Sequence, residues 1–325
     1  MEYTTLGRTG LKVSVAGLGC GGFSRLGLPA GKTEDEAALL VREAVDMGIN
    51  FIDTAPIYGT EATVGKALKH IPRHSVAVAT KASIRRDGEW HTPARVIASL
   101  ENSLRVLGTD YVDVFQLHGV LHSEYAYARD TIVPALLEQK AKGRIRYIGI
   151  TEQPPSDYLH EMLCRAAQDD VWDVFMIAFH MMHQSARRTV FPLSREKRIG
   201  TLLMFAVRSI FASPERVAIA MHEAAAKGQV EKQLGETAEP LAFLIHENGA
   251  STITEAAYRF ARHEPGVDVV LFGTGDAGHL RANIASLLKP PLPKADHKKL
   301  VALFAHLVGV GMDAPRMQPI HKTAP

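Results

Sequence analysis

The feature of this sequence that most restricts its fold is a repeating order of short apolar runs and longer amphipathic stretches. Eight runs have the length and the valine, isoleucine and phenylalanine content of buried strands. They are Val15–Gly19, Asn50–Asp53, Val76–Lys81, Val112–Leu117, Ile145–Ile150, Asp173–Ala178, Gly200–Phe205 and Asp268–Phe272. Eight strands, each leading into a helix, close a parallel (β/α)8 barrel, or TIM barrel. Periodicity also allows an open doubly wound sheet, but the even count and the lack of an obvious second domain favour the barrel.

Amphipathic stretches between these runs predict the helices. In residues 34–47, Ala37, Leu40, Val41 and Ala44 fall on one face, which is the spacing of a buried helical stripe. The same periodicity predicts further helices over Pro93–Val106, Thr131–Ala141, Ser156–Ala167 and Thr252–Arg262.

Three segments lie outside the alternating order. Residues 1–14 contain a glycine-rich turn between two short extended runs and predict a β-hairpin that plugs the bottom of the barrel. The long connection Arg208–Ala250, with a helical stretch at Pro214–Lys227, is typical of a binding loop or lid. We therefore predict one domain over 1–325, with a hairpin cap (1–14), a barrel (15–288) and a C-terminal tail (289–325) that carries a short helix near His297–His306.

The composition restricts partners and location. Lys and Arg total 37 against 35 Asp and Glu, a formal net charge of +2, so no strong field would recruit nucleic acid or an anionic membrane. Cys20 and Cys164 are too few for a disulfide framework and predict reduced thiols in a cytoplasmic protein. We find no secretory signal and no span of about 18 apolar residues. The partner predicted is a small molecule, and the oligomeric state is left open.

Polar residues stand where three consecutive predicted strands end. These are Asp53, Lys81 and His118, and Tyr58 lies in the loop after the first of them. Taken singly, each has an ordinary explanation, such as a helix cap, a solvated strand end or a structural histidine. Taken together, they favour a catalytic group at the barrel mouth, because an aspartate, a tyrosine, a lysine and a histidine stand at successive strand ends.

These four side chains suggest proton transfer to a carbonyl group. A tyrosine hydroxyl has a pKa of about 10, and we expect the ammonium of Lys81 to lower it, with Asp53 holding that lysine charged. Tyr58 would then protonate a developing alkoxide, and His118 would orient the carbonyl oxygen. No side chain can supply a hydride, so a nicotinamide cofactor is expected, and no metal site is predicted.

Several segments resemble the aldo-keto reductases. They are Leu6–Ser14, the stretch Gly48–Gly59 with its Asp-Thr-Ala-x-x-Tyr-Gly motif, Thr80-Lys81, Asp113–His118 and Gly143–Ile150. The resemblance implies a (β/α)8 barrel with an N-terminal hairpin, hydride exchange between NADP(H) and an aldehyde, ketone or sugar hemiacetal, and Asp53, Tyr58, Lys81 and His118 as the catalytic tetrad. Its departures from the family pattern around the nicotinamide are similar to a side branch of L-galactose and other aldose 1-dehydrogenase-like members.

The same resemblance predicts the residues around the nicotinamide. Thr151 and Glu152 stand where the family usually has Ser-Asn, which binds the carboxamide, and Met176 stands in place of a glutamine with the same task. Thr151 keeps a hydroxyl, whereas Glu152 has no amide to donate and Met176 is a weak acceptor. Phe205 stands where a tyrosine usually stacks on the nicotinamide ring.

The adenine end of the cofactor is predicted to bind after the last strand, where 272–283 resembles the family's phosphate loop and the helix behind it. Gly273 and Gly275 let backbone N–H groups face phosphate, and a helix that begins near Asp276 adds its N-terminal dipole. The resemblance favours NADP(H), but this segment lacks the lysine and arginine common in NADPH-specific members, so NAD(H) is the alternative. The predicted residues here are Gly273, Thr274, Gly275, His279, Arg281 (for a 2′-phosphate) and Asn283 (for adenine).

Substrate contacts are predicted in the loops, at Phe23, Trp90 and His91 together with the long connection after the seventh strand. Two other classes of protein stay open: a cofactor-binding sensor or scaffold without useful turnover, and a Schiff-base lyase with Lys81 as nucleophile. The stretch 17–22 satisfies Gly-x-Gly-x-x-Gly, but no helix opens on its third glycine. We interpret it as a close-packed strand end rather than a dinucleotide-binding motif.

Overall fold

The computed structural model describes residues 1–312, and within them eight parallel strands close into a barrel. The strands of the chain are β1 Tyr3–Thr5, β2 Lys12–Ser14, β3 Ala16–Gly19, β4 Phe51–Asp53, β5 Ala77–Ala82, β6 Arg85–Arg86, β7 Glu89–Trp90, β8 Val112–Val120, β9 Ile145–Glu152, β10 Val174–Ala178, β11 Gly200–Met204 and β12 Val269–Phe272. Around the barrel the order is β10-β11-β12-β3-β4-β5-β8-β9. The predicted closed barrel is confirmed. The end of the predicted tail, 313–325, lies outside the described residues.

Helices cover the outside of the barrel. They are α1 Glu34–Asp46, α2 Glu61–Leu68, α3 Pro93–Leu107, α4 Tyr125–Tyr127, α5 Val133–Ala141, α6 Glu161–Ala166, α7 Val190–Lys197, α8 Pro214–Ala226, α9 Lys232–Gly235, α10 Ile253–Arg262, α11 Ala277–Leu287 and α12 Lys294–Phe304. None of those within residues 1–312 combines the length and apolar character that a bilayer crossing needs.

The hairpin formed by β1 and β2 closes the bottom of the barrel, as the sequence predicts. Leu6 and Val13 are fully buried and pack in one apolar cluster with Phe51 and Val114 inside the barrel. A Cβ on Gly200 would lie 2.7 Å from Leu6 Cγ, so the plug fits against the strand with no spare space. Burying leucine or valine in this way contributes about 1.5–3 kcal/mol each.

Helix α6 begins five residues later than the sequence predicts. The carboxylate of Asp157 accepts hydrogen bonds from the backbone N–H groups of Glu161 and Met162, both at 2.8 Å, and so caps the helix there. The residue before the helix, His160, has a φ of 61°, in the left-handed region, which interrupts any helix from residue 156. The segment between β9 and α6 is therefore a loop at the barrel mouth.

Candidate active site

The four polar side chains predicted from the strand ends meet at one mouth of the barrel. Asp53 ends β4, Tyr58 closes the turn after it, and Lys81 and His118 lie near the ends of β5 and β8. Lys81 Nζ is 2.7 Å from a carboxylate oxygen of Asp53, and Tyr58 Oη is 3.3 Å from His118 Nε2. The predicted residues therefore form one cluster, because parallel strands all end at the same face.

Lys81 is held rigidly beneath the cluster. Its ammonium donates to both carboxylate oxygens of Asp53 at 2.7 Å and to the backbone carbonyl of Thr54 at 3.0 Å, which uses all three N–H groups. Its side chain is fully buried. Burial opposes the charge, but the Asp53 carboxylate outweighs it and raises the pKa of Lys81. The lysine is therefore a fixed positive charge and not a free amine.

Tyr58 is a neutral phenol placed beside that charge. Lys81 Nζ lies 4.9 Å from the centroid of its ring. Burial raises the pKa of Tyr58 above its ordinary value, while Lys81 opposes the rise. The expected net lowering is thus not found, because removal from water outweighs the lysine. The hydroxyl keeps its proton at neutral pH and is able to donate it.

His118 is neutral as well. Burial, aided by Lys81, lowers its pKa to about 3. Its ring meets that of Tyr58 edge-on, with centroids 5.5 Å apart. A neutral imidazole can share a hydrogen bond with a substrate oxygen without competing with Tyr58 as an acid.

Sequence reasoning missed two residues that shape the cluster. Gln116 Nε2 donates to Asp53 at 3.3 Å, from the same face of β8 as His118 two residues further on. A Cβ on Gly21 would lie 2.7 Å from ring carbons of Tyr58. The interpretation of these glycines as a close-packed strand end agrees with this contact. The period-two pattern of β8 could have identified Gln116.

A cavity of about 290 Å³ opens beside Tyr58. It brings together three residues predicted to bind the cofactor, Met176, Phe205 and Gly273, with Phe23, which was predicted to contact substrate. A Cβ at position 273 would lie 2.9 Å from Ser24 Oγ, so at this edge of the cavity position 273 has space for a glycine backbone but not for a side chain.

Arg208 lines the same cavity; it begins the long connection predicted to contact substrate but was not singled out from the sequence. Its side chain is largely buried, with the guanidinium carbon 4.0 Å from the centroid of Phe205 and 5.8 Å from that of Phe23. A buried guanidinium stacked between aromatic rings places a positive charge where an anionic group can approach. Its position four residues after β11, in a loop otherwise rich in apolar residues, was the available signal.

The segment after β12 forms a turn and a capped helix, as predicted. The carboxylate of Asp276 accepts the backbone N–H of His279 at 2.8 Å and caps α11, which stabilises its negative charge and lowers the pKa of Asp276. Thr274 is buried and its hydroxyl accepts the N–H of Asp276 at 3.0 Å. A Cβ on Gly275 would lie 2.4 Å from Gly27 Cα, so no side chain fits at this position of the turn.

Two residues predicted to bind the adenine end lie on helix α11 itself. At the surface, Arg281 pairs with Glu43 at 2.8 Å. Asn283 lies further along α11 and is half-buried.

Thr151 and Glu152, predicted to bind the carboxamide, are engaged with the protein. Thr151 Oγ1 accepts the backbone N–H of Gly119 at 2.6 Å. Glu152 is buried, with one carboxylate oxygen accepting from the N–H of Ala178 at 2.7 Å and the other lying 2.7 Å from His160 Nδ1. Neither residue lines the cavity beside Tyr58.

His160 continues from Glu152 into a buried hydrogen-bond chain. Its Nε2 lies 2.8 Å from Ser185 Oγ, which is 2.9 Å from the carbonyl oxygen of Tyr158. The same Oγ lies 3.2 Å from His183 Nε2. We assign its proton to the Tyr158 carbonyl, and on this assignment His160 donates from both ring nitrogens as an imidazolium. The nearby Glu152 carboxylate outweighs burial and raises the pKa of His160, in agreement with this assignment. A buried ion pair thus holds the loop after β9.

A second cavity, of about 380 Å³, is lined by Lys81 and His118 of the catalytic cluster. We call it the basic cavity; its ionisable lining residues are Lys81, Arg85, Arg86, His91, Arg95 and His118. Trp90, predicted with His91 to contact substrate, packs against Tyr127 with ring centroids 4.5 Å apart and planes tilted by 49°. It lies in the β6–β7 hairpin, which the sequence did not predict.

Within residues 1–312, no group of His, Cys, Asp and Glu side chains is arranged to hold a metal ion.

Known proteins share this architecture. A model of the aldo/keto reductase family matches residues 17–305. L-galactose dehydrogenase of Arabidopsis thaliana is 30% identical over 293 residues, 88% of each chain, and aldo-keto reductase YhdN of Bacillus subtilis is 27% identical over 311 residues, 87% of each. The holo form of aldo-keto reductase AKR11C1 from Bacillus halodurans superposes with a TM-score of 0.73 at 23% identity, covering 96% of this chain and 100% of that one.

Proposed function

This chain belongs to the aldo/keto reductase family and is an NAD(P)-dependent oxidoreductase, and from that premise we propose that it interconverts a carbonyl compound and its alcohol, with Tyr58 as the proton donor and acceptor. The observation that carries the proposal is the buried Lys81–Asp53 pair beside the neutral Tyr58 and His118. The substrate is an aldehyde, a ketone or a sugar hemiacetal.

Each residue of the cluster has a separate role in the proposed reaction. The nicotinamide, when bound, supplies or accepts the hydride. His118 hydrogen-bonds the substrate oxygen and orients it, while Tyr58 gives its proton to that oxygen as negative charge develops there. Lys81 is fixed by Asp53 and stabilises the phenolate left behind. In the oxidative direction, the same phenolate takes the proton back.

The cavity beside Tyr58 is suited to a nicotinamide cofactor. We assign Phe205 to stacking and Met176 to the carboxamide, with Thr151 and Glu152, which do not line the cavity, acting through the loops that their hydrogen bonds hold. The narrow edge at Gly273, where only backbone fits, and the stacked guanidinium of Arg208 suit a pyrophosphate.

For the adenine end we assign Gly273, Thr274, Gly275, His279, Arg281 and Asn283, with NADP(H) as the proposed cofactor and NAD(H) as the alternative. Arg281 is paired with Glu43 at an exposed position, and such a pair contributes only about 0–1 kcal/mol, so a 2′-phosphate can compete for it. Fluorescence titration with NADPH and with NADH measures which cofactor is preferred. Tighter binding of NADPH, with the preference lost in Arg281→Ala, supports the proposal, whereas equal binding of the two cofactors supports NAD(H).

Replacing Tyr58 by phenylalanine tests the proposed chemistry. We expect turnover to fall by about 10²–10⁴-fold, because proton donation is lost, with cofactor affinity little changed. Turnover within a few-fold of wild type would reject Tyr58 as the acid, and tight cofactor binding without Tyr58-dependent turnover would favour a sensor or scaffold. The lyase alternative is weakened because the ammonium of Lys81 is fully hydrogen-bonded, and borohydride trapping of a Lys81 adduct would revive it.

The wider assignments belong to the same proposal. We treat the chain as one domain, with a hairpin cap at 1–14, a barrel at 15–288 and a tail at 289–325. We also propose a cytoplasmic enzyme that binds small molecules and neither nucleic acid nor membrane. The free thiols of Cys20 and Cys164 and the net charge of +2 support this location and this absence of a polyanionic partner.

A further inference from the structure

The basic cavity has an excess of positive charge that the carbonyl chemistry does not require. Its lining includes Lys81, Arg85, Arg86 and Arg95 but no carboxylate. Lys81 is neutralised by Asp53, and Arg85 pairs with Glu124 at 3.1 Å. The remaining guanidiniums are those of Arg86 and Arg95.

These two arginines are poorly compensated. Among the described residues, Arg86 forms an ion pair with its neighbour Asp87 alone, at 3.5 Å, and both side chains are mostly exposed, so the pair is weak. Arg95 makes no ion pair with any carboxylate in residues 1–312. Each retains charge that a bound anion could satisfy.

The position of Arg95 opposes helix stability. It is the third residue of α3, whose N-cap is Thr92 and whose first turn contains no acidic residue. A cation in the first turn is repelled by the helix dipole, whereas an anion is attracted there. Helix α1 shows the favourable arrangement, with Glu34, Asp35 and Glu36 in its first turn. The helix end therefore adds to the attraction of Arg95 for an anion.

Neutral groups complete the site. Ser99 lines the basic cavity one turn after Arg95 and offers a hydroxyl. His91 also lines it, but its Nδ1 donates to the carbonyl of Ser83 at 2.8 Å, so its buried Nε2, which has no hydrogen-bond partner among the described residues, is an acceptor and gives the anion no donor. Because His118 lines the same cavity and lies 3.3 Å from Tyr58, the anion site adjoins the proton donor.

We propose that the basic cavity binds an anionic group of the substrate, so that the preferred substrate is a small carbonyl compound or alcohol that carries a carboxylate or a phosphate. This inference rests on the proposed function for the reacting end of the substrate. The anion lies against Arg95 and Arg86 while the carbonyl oxygen meets Tyr58 and His118.

Anion binding is tested first without turnover. Succinate or inorganic phosphate should raise the unfolding temperature of the wild-type protein and of Arg105→Ala, but not that of Arg95→Ala. Arg105 is the matched control, because it removes the same charge from the other end of α3, where its side chain contacts Asn102. Equal stabilisation of Arg95→Ala and the wild type would overturn the site.

Turnover then tests the substrate class. With succinic semialdehyde against butanal, and glyceraldehyde 3-phosphate against glyceraldehyde, we expect Arg95→Ala to lower kcat/KM for an anionic member by about 10- to 100-fold and to leave its neutral partner within two-fold. The more affected pair identifies carboxylate or phosphate. Equal losses in both members of each pair would overturn the inference. Arg95-dependent anion binding without turnover of any carbonyl compound would uphold the site and reject the proposed function instead.

Discussion

At the scale of single residues, the candidate site depends on how much each group is shielded from water. Tyr58 keeps its proton because burial raises its pKa, and His118 stays neutral because burial lowers its own. Lys81 remains charged under similar burial only because Asp53 is 2.7 Å away. Two neutral groups above one fixed cation leave Tyr58 as the group ready to donate a proton.

Gly21 gives a prediction at this scale. A Cβ there would lie 2.7 Å from ring carbons of Tyr58, so Gly21→Ala should displace the ring and lower kcat by at least about ten-fold, since small misplacements of catalytic groups are expensive. Gly31, which lines neither cavity, has a φ of 91° and open space where a Cβ would lie, so Gly31→Ala should cost about 1–2 kcal/mol of stability yet keep activity. Steady-state kinetics together with urea unfolding separates the two. Full activity in Gly21→Ala would contradict the contact.

At the scale of elements, the sequence was most informative where periodicity is local. The eight barrel strands, the hairpin plug and the cluster of Asp53, Tyr58, Lys81 and His118 all follow from patterns of a few residues. The late start of α6 does not, because it depends on the Asp157 cap and on the left-handed conformation of His160.

Contacts between distant segments could not be predicted either. The bond from His160 to Ser185 spans 25 positions, and the stacking of Arg208 on Phe23 joins two separate loops. Glu152 illustrates the consequence: its place after Thr151 was evident in the sequence, but its pairing with His160 was visible only in the folded chain.

The buried Glu152–His160 pair gives the prediction for this element. Glu152→Gln should destabilise the protein by about 3–5 kcal/mol at pH 6, because it leaves the imidazolium of His160 unpaired. The folded-state pKa of His160 is raised, so the contribution of the pair is fully present below about pH 6.5 and declines as pH rises through the folded pKa. Urea unfolding of both proteins at pH 6 and pH 9 measures this, and a stability difference that grows with pH would contradict it. Glu161→Gln, on the first turn of α6, is the control.

At the scale of the whole molecule, the barrel mouth separates two charged environments. The cavity that holds Arg208 and Phe205 is lined by Asp53 and Tyr58 of the catalytic cluster, and the basic cavity is lined by Lys81 and His118. Hydride transfer needs cofactor and substrate to meet at the substrate carbon from different directions. The net charge of +2 is too small to steer either, so attraction must come from these local arginines.

Acid stability is the last prediction and concerns the whole fold. Burial lowers the pKa of His118 and of His183 to about 3, so both stay neutral in the folded protein and take up a proton only on unfolding. Between pH 6.5 and 3, the stability should therefore fall on acidification by up to about 1.4 kcal/mol per pH unit for each histidine. Asp268 partly offsets this below pH 6, because burial raises its pKa to about 6 and the folded state then binds its proton first.

His183 offers the direct measurement of this effect. Its Nδ1 accepts the N–H of Gly309 at 3.2 Å, a contact that the amide oxygen of His183→Asn can retain without taking up a proton. Urea unfolding from pH 7 to pH 4.5 should show a pH slope that is smaller in His183→Asn, by up to about 1.4 kcal/mol per pH unit at the acid end of this range. The variant is less stable at pH 7 but loses less on acidification, so the two curves converge. Parallel curves would mean that His183 takes up its proton in the folded protein and does not contribute to the loss of stability in acid.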